Sequence, residues 1–293
     1  MLSSIHILLT YQCNIGCDHC FLFCGPHARG VFTAADLRRA LDQIAQVPAI
    51  TAVCFEGGEP TLYYPLLLEG LRLARERGLK TSIVTNTYWA TTEADAALWI
   101  APMVELGMSA MSVSDDALHF GSVEETPAKR AMAAAKRLGL AASAICTERP
   151  RVVEEGGERK VTGRVMFRGR AAGLVEELPR RAWERFTACP HEKLANPSRV
   201  HLDPYGNLHL CQGVLLGNLW ETPLAELLAG YDPQAHPIAG PLLRGGPSAL
   251  IAEHGLPHEE GYVDACHLCY AARLALLERY PAWLGPRQVY GLG

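Results

Sequence analysis

Between residue 5 and about residue 167, short runs of β-forming residues alternate with amphipathic helical stretches, and this alternation limits the fold more than any other feature. Strands are expected at 5–10, 50–56, 80–86, 109–114, 140–147 and 163–167, and helices at 34–46, 66–76, 93–106 and 127–138. The first helix opens with Thr33-Ala-Ala-Asp36, which has the form of a capping box, and Gly78 and Gly139 stand where helix C-terminal caps belong. Residues 149–162 are charged and glycine-bearing and read as a loop. Strands alternating with helices imply parallel β/α units, in a barrel or a doubly wound sheet. In both architectures functional residues gather at the carboxyl ends of the strands.

After residue 180 the rhythm changes. A turn signal at Asp203-Pro-Tyr-Gly206, between apolar runs at 200–202 and 208–210, indicates a hairpin. Pro/Gly-rich sequence from 231 to 257 follows, then a last helix around 271–278. A boundary near 185 divides the chain into 1–185, 186–275 and a tail, 276–293.

The charge balance, 27 basic against 31 acidic residues, favours neither nucleic acid nor an anionic membrane as partner. No apolar run approaches the ~18 residues of a membrane span. The start lacks the charged and apolar regions of a secretory signal, so a cytoplasmic location is expected. In reducing cytosol the ten cysteines point to metal ligation or catalysis rather than to disulfides.

Directly after the first strand the chain reads Cys13-Asn-Ile-Gly-Cys17-Asp-His-Cys20. Three thiolates on one loop can hold three irons of a cubane and leave the fourth without a protein ligand, whereas closed clusters take four cysteines. A missing ligand marks an open, catalytic type of metal site. Zinc sites pair their ligands differently, and this triple spacing fits them poorly.

The C-x3-C-x2-C loop at the end of strand one resembles the signature of the radical S-adenosylmethionine superfamily, with His19 in the aromatic position before the last cysteine. The resemblance covers residues 5 to about 170. It implies an α/β fold, a partial (β/α)6 barrel, with a [4Fe–4S] cluster on Cys13, Cys17 and Cys20 that binds S-adenosylmethionine and yields a 5′-deoxyadenosyl radical. Further matches carry cosubstrate contacts onto later strand ends. Gly57-Gly58-Glu59-Pro60 is similar to the motif that grips the methionyl amine, with Glu59 offering a carboxylate. Thr85-Asn86-Thr87 is similar to the family's Thr-Asn-Gly, departing from it at Thr87. Ser114 falls on the ribose-contacting strand, and Asp115 and Asp116 beside it are read as helix caps or as a general base. Arg168-Gly-Arg170-Ala is similar to the Gly-Arg-Ala at the end of strand six, where Arg170 pairs with the cosubstrate carboxylate.

Cys189, Cys211, Cys266 and Cys269 follow the barrel, and four thiolates suit a closed [4Fe–4S] cluster or structural zinc. Their arrangement, with the 203–211 hairpin and Gly217-Asn218-Leu219, resembles the twitch extension, a shortened SPASM domain with one auxiliary cluster. The expected architecture is thus a barrel followed by a small hairpin-plus-helix iron–sulfur extension. Cys54 and Cys146 are expected to be core residues, Cys24 a spare thiol or an extra ligand, and His267 a loop residue or a replacement ligand.

The resemblance implies an oxidoreductase with two [4Fe–4S] clusters and S-adenosylmethionine, abstracting hydrogen from a small molecule or peptide in a net two-electron oxidation. A flavodoxin or ferredoxin is the expected donor, with no nucleic acid or membrane partner. Because the barrel starts almost at residue 1, a small molecule, or a peptide delivered by a separate partner, is favoured. Radical C–C or C–S bond formation with the same clusters is the competing chemistry. A zinc-stabilised binding protein without catalysis is the reading from another class.

Overall fold

The computed structural model describes residues 2–292; Met1 and Gly293, at the ends of the first and last expected segments, lie outside them. Five strands, β1 (Ser4–Thr10), β2 (Ala52–Gly57), β3 (Lys80–Thr85), β4 (Ala110–Ser114) and β5 (Ala141–Ile145), lie parallel and in sequence order. Between them run α1 (Ala34–Ala45), α2 (Tyr64–Glu76) and α3 (Glu93–Glu105), then a single turn, α4 (Ala117–Phe120), and α5 (Pro127–Arg137). The capping expectation holds, since the Thr33 side chain accepts from the Asp36 amide at 3.1 Å. In α1 the buried residues are Leu37, Ala40, Leu41 and Ile44, at the three- and four-residue spacing of one helix face.

Side chains alternate across the sheet. Ile5, Ile7, Val53, Phe55, Ile83 and Val113 are buried on the helix-covered face, where the Phe55 ring lies against Gly70 of α2. The opposite face is polar. There the Glu56 carboxylate joins His6 Nδ1 at 3.0 Å and His201 Nδ1 at 2.7 Å, and the Ser112 and Ser143 hydroxyls meet at 3.3 Å.

The sixth expected strand, 163–167, does not form. The segment read as a loop is instead an antiparallel hairpin, β6 (Arg151–Glu155) and β7 (Glu158–Thr162), turned at Gly156-Gly157. Two glycines between Val-bearing runs are a hairpin signal, here hidden by the charged side chains of a ribbon that buries almost nothing.

β8 (Arg181–Ala182) follows, and then β9 (Arg199–Leu202) pairs parallel to β1 on the side away from β2. β10 (Asn207–Cys211) pairs antiparallel to β9, as the hairpin reading expects, and β11 (Val214–Asn218) completes one eight-stranded sheet in the order β11-β10-β9-β1-β2-β3-β4-β5. Its edges, β5 and β11, do not pair with each other, so the sheet is open. α6 (Leu224–Gly230) leads into the Pro/Gly-rich stretch, which is not irregular: α7 (Ala239–His254) occupies most of it, broken at Gly245-Gly246. Gly246 has φ +64°, and a Cβ there would stand 2.3 Å from the Ala188 amide nitrogen, so the break lets α7 press directly on the chain entering Cys189. β12 (Gly261–Tyr262) pairs with β8, and α8 (Ala265–Leu276) starts six residues before the expected last helix, capped by Asp264.

All ten cysteines are free. Cys54 is buried as expected, whereas Cys146 is exposed: it follows the end of β5, with its Sγ 3.0 Å from the Asp115 carbonyl. Among the described residues no helix is long and apolar enough to cross a membrane.

Candidate radical and auxiliary metal sites

β1 ends at Thr10, and the next residues lead straight into the cysteine loop. Gly57 and Gly58, at the end of β2, make that loop possible: a Cβ on either would stand 2.2 Å from the carbonyl oxygen of Thr10 or Gln12. These glycines serve the close approach of two backbones, and the Gly58 and Glu59 amides donate to the Thr10 and Gln12 carbonyls.

The loop is fastened from outside by Arg170, whose Nε and Nη2 donate to the carbonyls of Cys17 and Cys24 at 2.8 and 2.6 Å, while its amide donates to the Cys20 carbonyl. Arg170 lies in a 3-10 turn, Gly169–Gly173, not at a strand end, and its guanidinium is engaged by the loop rather than free for a cosubstrate carboxylate. Burial pushes the Cys13 thiol up to about 11, with the Glu59 and Cys20 charges adding to it. The Cys17 thiol is pushed up to about 12 by burial and then by Cys20 and Cys13. Cys20 moves down because Cys24 hydrogen-bonds to it, so the spare thiol belongs to the same cluster of sulfurs. Soft thiols held this close, with two of them resisting ionisation, fit a cationic iron–sulfur group, which supplies the positive charge they lack.

Glu59 does not offer a free carboxylate. It is wholly buried: Oε1 accepts from the Thr61 amide and hydroxyl and from the Thr85 hydroxyl, and Oε2 from the Asn86 amide at 2.7 Å. Its work is to lock the end of β3 to the end of β2. Asn86 is thereby set beside the loop, its Nδ2 at 2.8 Å from Asn14 Oδ1 and 3.6 Å from Cys13 Sγ. Thr87, the departure from the family pattern, carries φ +57°, a conformation that costs a β-branched residue.

Ser114 is half-buried at the end of β4. Both neighbouring aspartates act structurally. Asp115 accepts from the Thr126 hydroxyl at 2.6 Å, and Asp116 caps α4 and binds His119 Nδ1 at 2.8 Å. The His19 ring stands edge-on to His119, with centroids 4.7 Å apart, and its buried Nδ1 has no partner among the described residues. Burial lowers His19 to about 4, so the ring is neutral at pH 7.

The second set converges although its members lie far apart in sequence. Cys189, Cys211, Cys266 and Cys269 line one cavity together with Arg168 and Arg273. Cys211 ends β10, Cys266 and Cys269 occupy the start of α8, and Cys189 lies in the loop before β9. Arg168 Nη1 donates to Cys211 Sγ at 2.7 Å. Arg273, also buried, donates to the Gln212 and Cys269 carbonyls between the faces of Tyr270 and Tyr290. Four thiols with two buried guanidinium groups suit an anionic metal–thiolate centre, because the cations offset its charge. His267 is not among the lining residues; its Nδ1 faces the Val263 amide. His191, unremarked in the sequence, does line the cavity.

Arg168 also ties the two sets together. Its guanidinium lies 4.8 Å from the ring centre of Phe21, the residue after Cys20. Nothing in the sequence marks this role, since a buried arginine is recognisable only once its neighbours are known.

Residues 7–147 match the model of the Radical SAM superfamily. Similar curated proteins are the "Putative peptide biosynthesis protein YydG" of Bacillus subtilis (strain 168), 24% identical over 43% of this chain, and the S-adenosylmethionine-dependent nucleotide dehydratase of Selenomonas ruminantium, 28% identical over 29% of it. The alignments span 40% and 30% of those relatives' own lengths. Similar solved structures are BtrN in complex with AdoMet and 2-DOIA (TM-score 0.49, 16% identity, 78% of this chain and 82% of that one) and anSMEcpe with bound AdoMet (TM-score 0.48, 13% identity, 95% and 98%). The three-cysteine loop at the end of β1 and the locked strand ends around it lie within the matched segment, residues 7–147, which is similar to the radical S-adenosylmethionine superfamily of enzymes.

Proposed function

We propose that this enzyme abstracts hydrogen from a small-molecule or peptide substrate and completes a net two-electron oxidation with the help of an auxiliary [4Fe–4S] cluster. Cys13, Cys17 and Cys20 would hold the cluster that binds S-adenosylmethionine, and Cys189, Cys211, Cys266 and Cys269 the auxiliary one. When bound, the first cluster and its cosubstrate supply the 5′-deoxyadenosyl radical. The observation that carries the two-centre reading is the single cavity lined by all four later cysteines and two buried arginines.

The chain's own residues have distinct tasks in this reading. Arg170 and the Gly57-Gly58 contact hold the cysteine loop in shape, and Glu59 fixes Asn86 beside Cys13. Arg168 keeps a positive charge against the Cys211 sulfur. His19, Asn86 and Ser114 border the space where the cosubstrate would lie. The polar sheet face with His6, Glu56 and His201 offers hydrogen-bonding groups to a substrate. We retain the division near residue 185, with 186–275 as a twitch-like extension, and a flavodoxin or ferredoxin as reductant in the cytoplasm.

Anaerobically prepared protein is expected to carry about eight irons, as two cubanes require. Cys266→Ala should keep the first cluster and 5′-deoxyadenosine formation while losing oxidised product. Zinc with four irons would leave the second site structural, and unchanged product formation by Cys266→Ala would exclude it from the reaction.

A further inference from the structure

Beside the auxiliary site runs a groove that differs in charge from the rest of the molecule. Six of its lining side chains are cationic, Arg159, Lys160, Arg164, Arg180, Arg181 and Arg185, against two carboxylates, Glu158 and Asp264. The chain as a whole is acidic, with a net charge of −4. Lys160 pairs with Glu155 and Arg180 with Glu259, whereas the other four arginines have no carboxylate partner among the described residues. Val161, Val165 and Phe167 give the groove an apolar floor.

The course of the chain says what shape such a ligand has. Residues 158 to 167 all border the groove without a gap. Successive side chains of a strand point to opposite faces, so a groove that meets every residue of β7 runs along its edge and not along one face. One edge of β7 is paired to β6; among the described residues no backbone–backbone hydrogen bond engages the other. A free main-chain edge accepts an added strand, and the surrounding cations select its side chains.

We propose that this groove binds an acidic segment of a peptide substrate in extended form, added as a strand to β7. The five residues of β7, all bordering the groove, run for about 16 Å at ~3.3 Å per residue, which matches an extended peptide segment. His191 borders both this groove and the four-cysteine cavity, so the bound segment leads toward the auxiliary site. The inference rests on the reading of this enzyme as acting on a peptide, and narrows it to acidic ones. Charged residues also protect a free edge from pairing with other copies; that role predicts no preference between acidic and basic peptides.

The test uses the iron-loaded enzyme and a fluorescein-labelled peptide of about twelve residues alternating Glu and Val. Its fluorescence anisotropy is compared with that of the Lys/Val counterpart and of a version N-methylated at alternate residues. The acidic peptide should bind at least ~10-fold more tightly than both, and binding should weaken with salt. Arg164→Glu/Arg181→Glu, two exposed changes, should weaken it ~10-fold or more and leave 5′-deoxyadenosine formation from S-adenosylmethionine alone unchanged. Equal binding of the acidic and basic peptides, of the N-methylated peptide, or by the charge-reversed variant overturns the proposal. If the variant instead loses only its reduction by flavodoxin, the groove docks the electron donor, which also overturns it. Absence of 5′-deoxyadenosine from the wild-type enzyme would count against the proposed function and leave the binding result standing.

Discussion

The two cysteine sets differ in how they are built. The first spans eight positions on a single loop, and its surroundings are mainly backbone: carbonyls tied by Arg170 and close contacts with Gly57 and Gly58. The second draws on a loop, a strand and a helix between residues 189 and 269, and its sulfurs face two buried guanidinium groups. The contrast is one of chemistry as well as of assembly. The first set is shaped by backbone contacts within one stretch of chain, while the second is enclosed by side chains from several elements.

Changes at either site can break this contrast. Cys17→Ala should reduce 5′-deoxyadenosine formation to background, because no other thiol stands in its place; residual cleavage, read by chromatography, would show that Cys24 substitutes and that the first site is less local than described. Arg168→Met should have the next largest effect. Removing one partner of a buried charged contact costs about 3–5 kcal/mol, and the loss is expected in the denaturant midpoint together with lower metal occupancy at the second site only. If both sites lose metal equally, Arg168 couples them through Phe21 more tightly than its bond to Cys211 suggests.

Smaller effects sharpen the picture of the first site. Glu59→Gln turns an acceptor with four protein donors into one whose amide faces some of them, at a cost of about 1–3 kcal/mol. The variant should keep its iron, and weaker S-adenosylmethionine binding by calorimetry is expected from the displaced Asn86. Unchanged binding would mean that Asn86 does not need this anchor. Thr87→Gly relieves a positive φ and should raise the melting temperature, with a gain of at most about 1 kcal/mol, since glycine also loosens the unfolded chain. A drop would show that the Thr87 hydroxyl, bonded to the Asn86 carbonyl, matters more than the strain.

The same contrast explains what could be read from the sequence. The cysteine loop and β1–β5 are local patterns, and each strand lies within a few residues of where alternation put it. The error at 163–167 arose because a short apolar run was taken for a strand, although it packs a small separate cluster around Phe167. The hairpin β6–β7 was missed because its polar strands bury nothing, and α7 because Gly and Pro conceal a helix broken by design of its neighbours. Candidate cosubstrate residues were named by type and position, and the visible partners of Glu59 and Arg170 give those two side chains structural tasks. Arg168 and Arg273 gave no signal, because a cation is informative only when it is out of water.

The pairing of β1 with β9 has a consequence for synthesis. Ser4 meets Arg199, so one side of β1 stays bare during synthesis until β9, far along the chain, has emerged. During that interval the loop that follows β1 already has its sulfurs, whereas the later quartet cannot exist before α8 emerges. The first sulfur set is therefore made whole before the second, and the nascent chain passes through a stage in which β1 lacks one of its two neighbours.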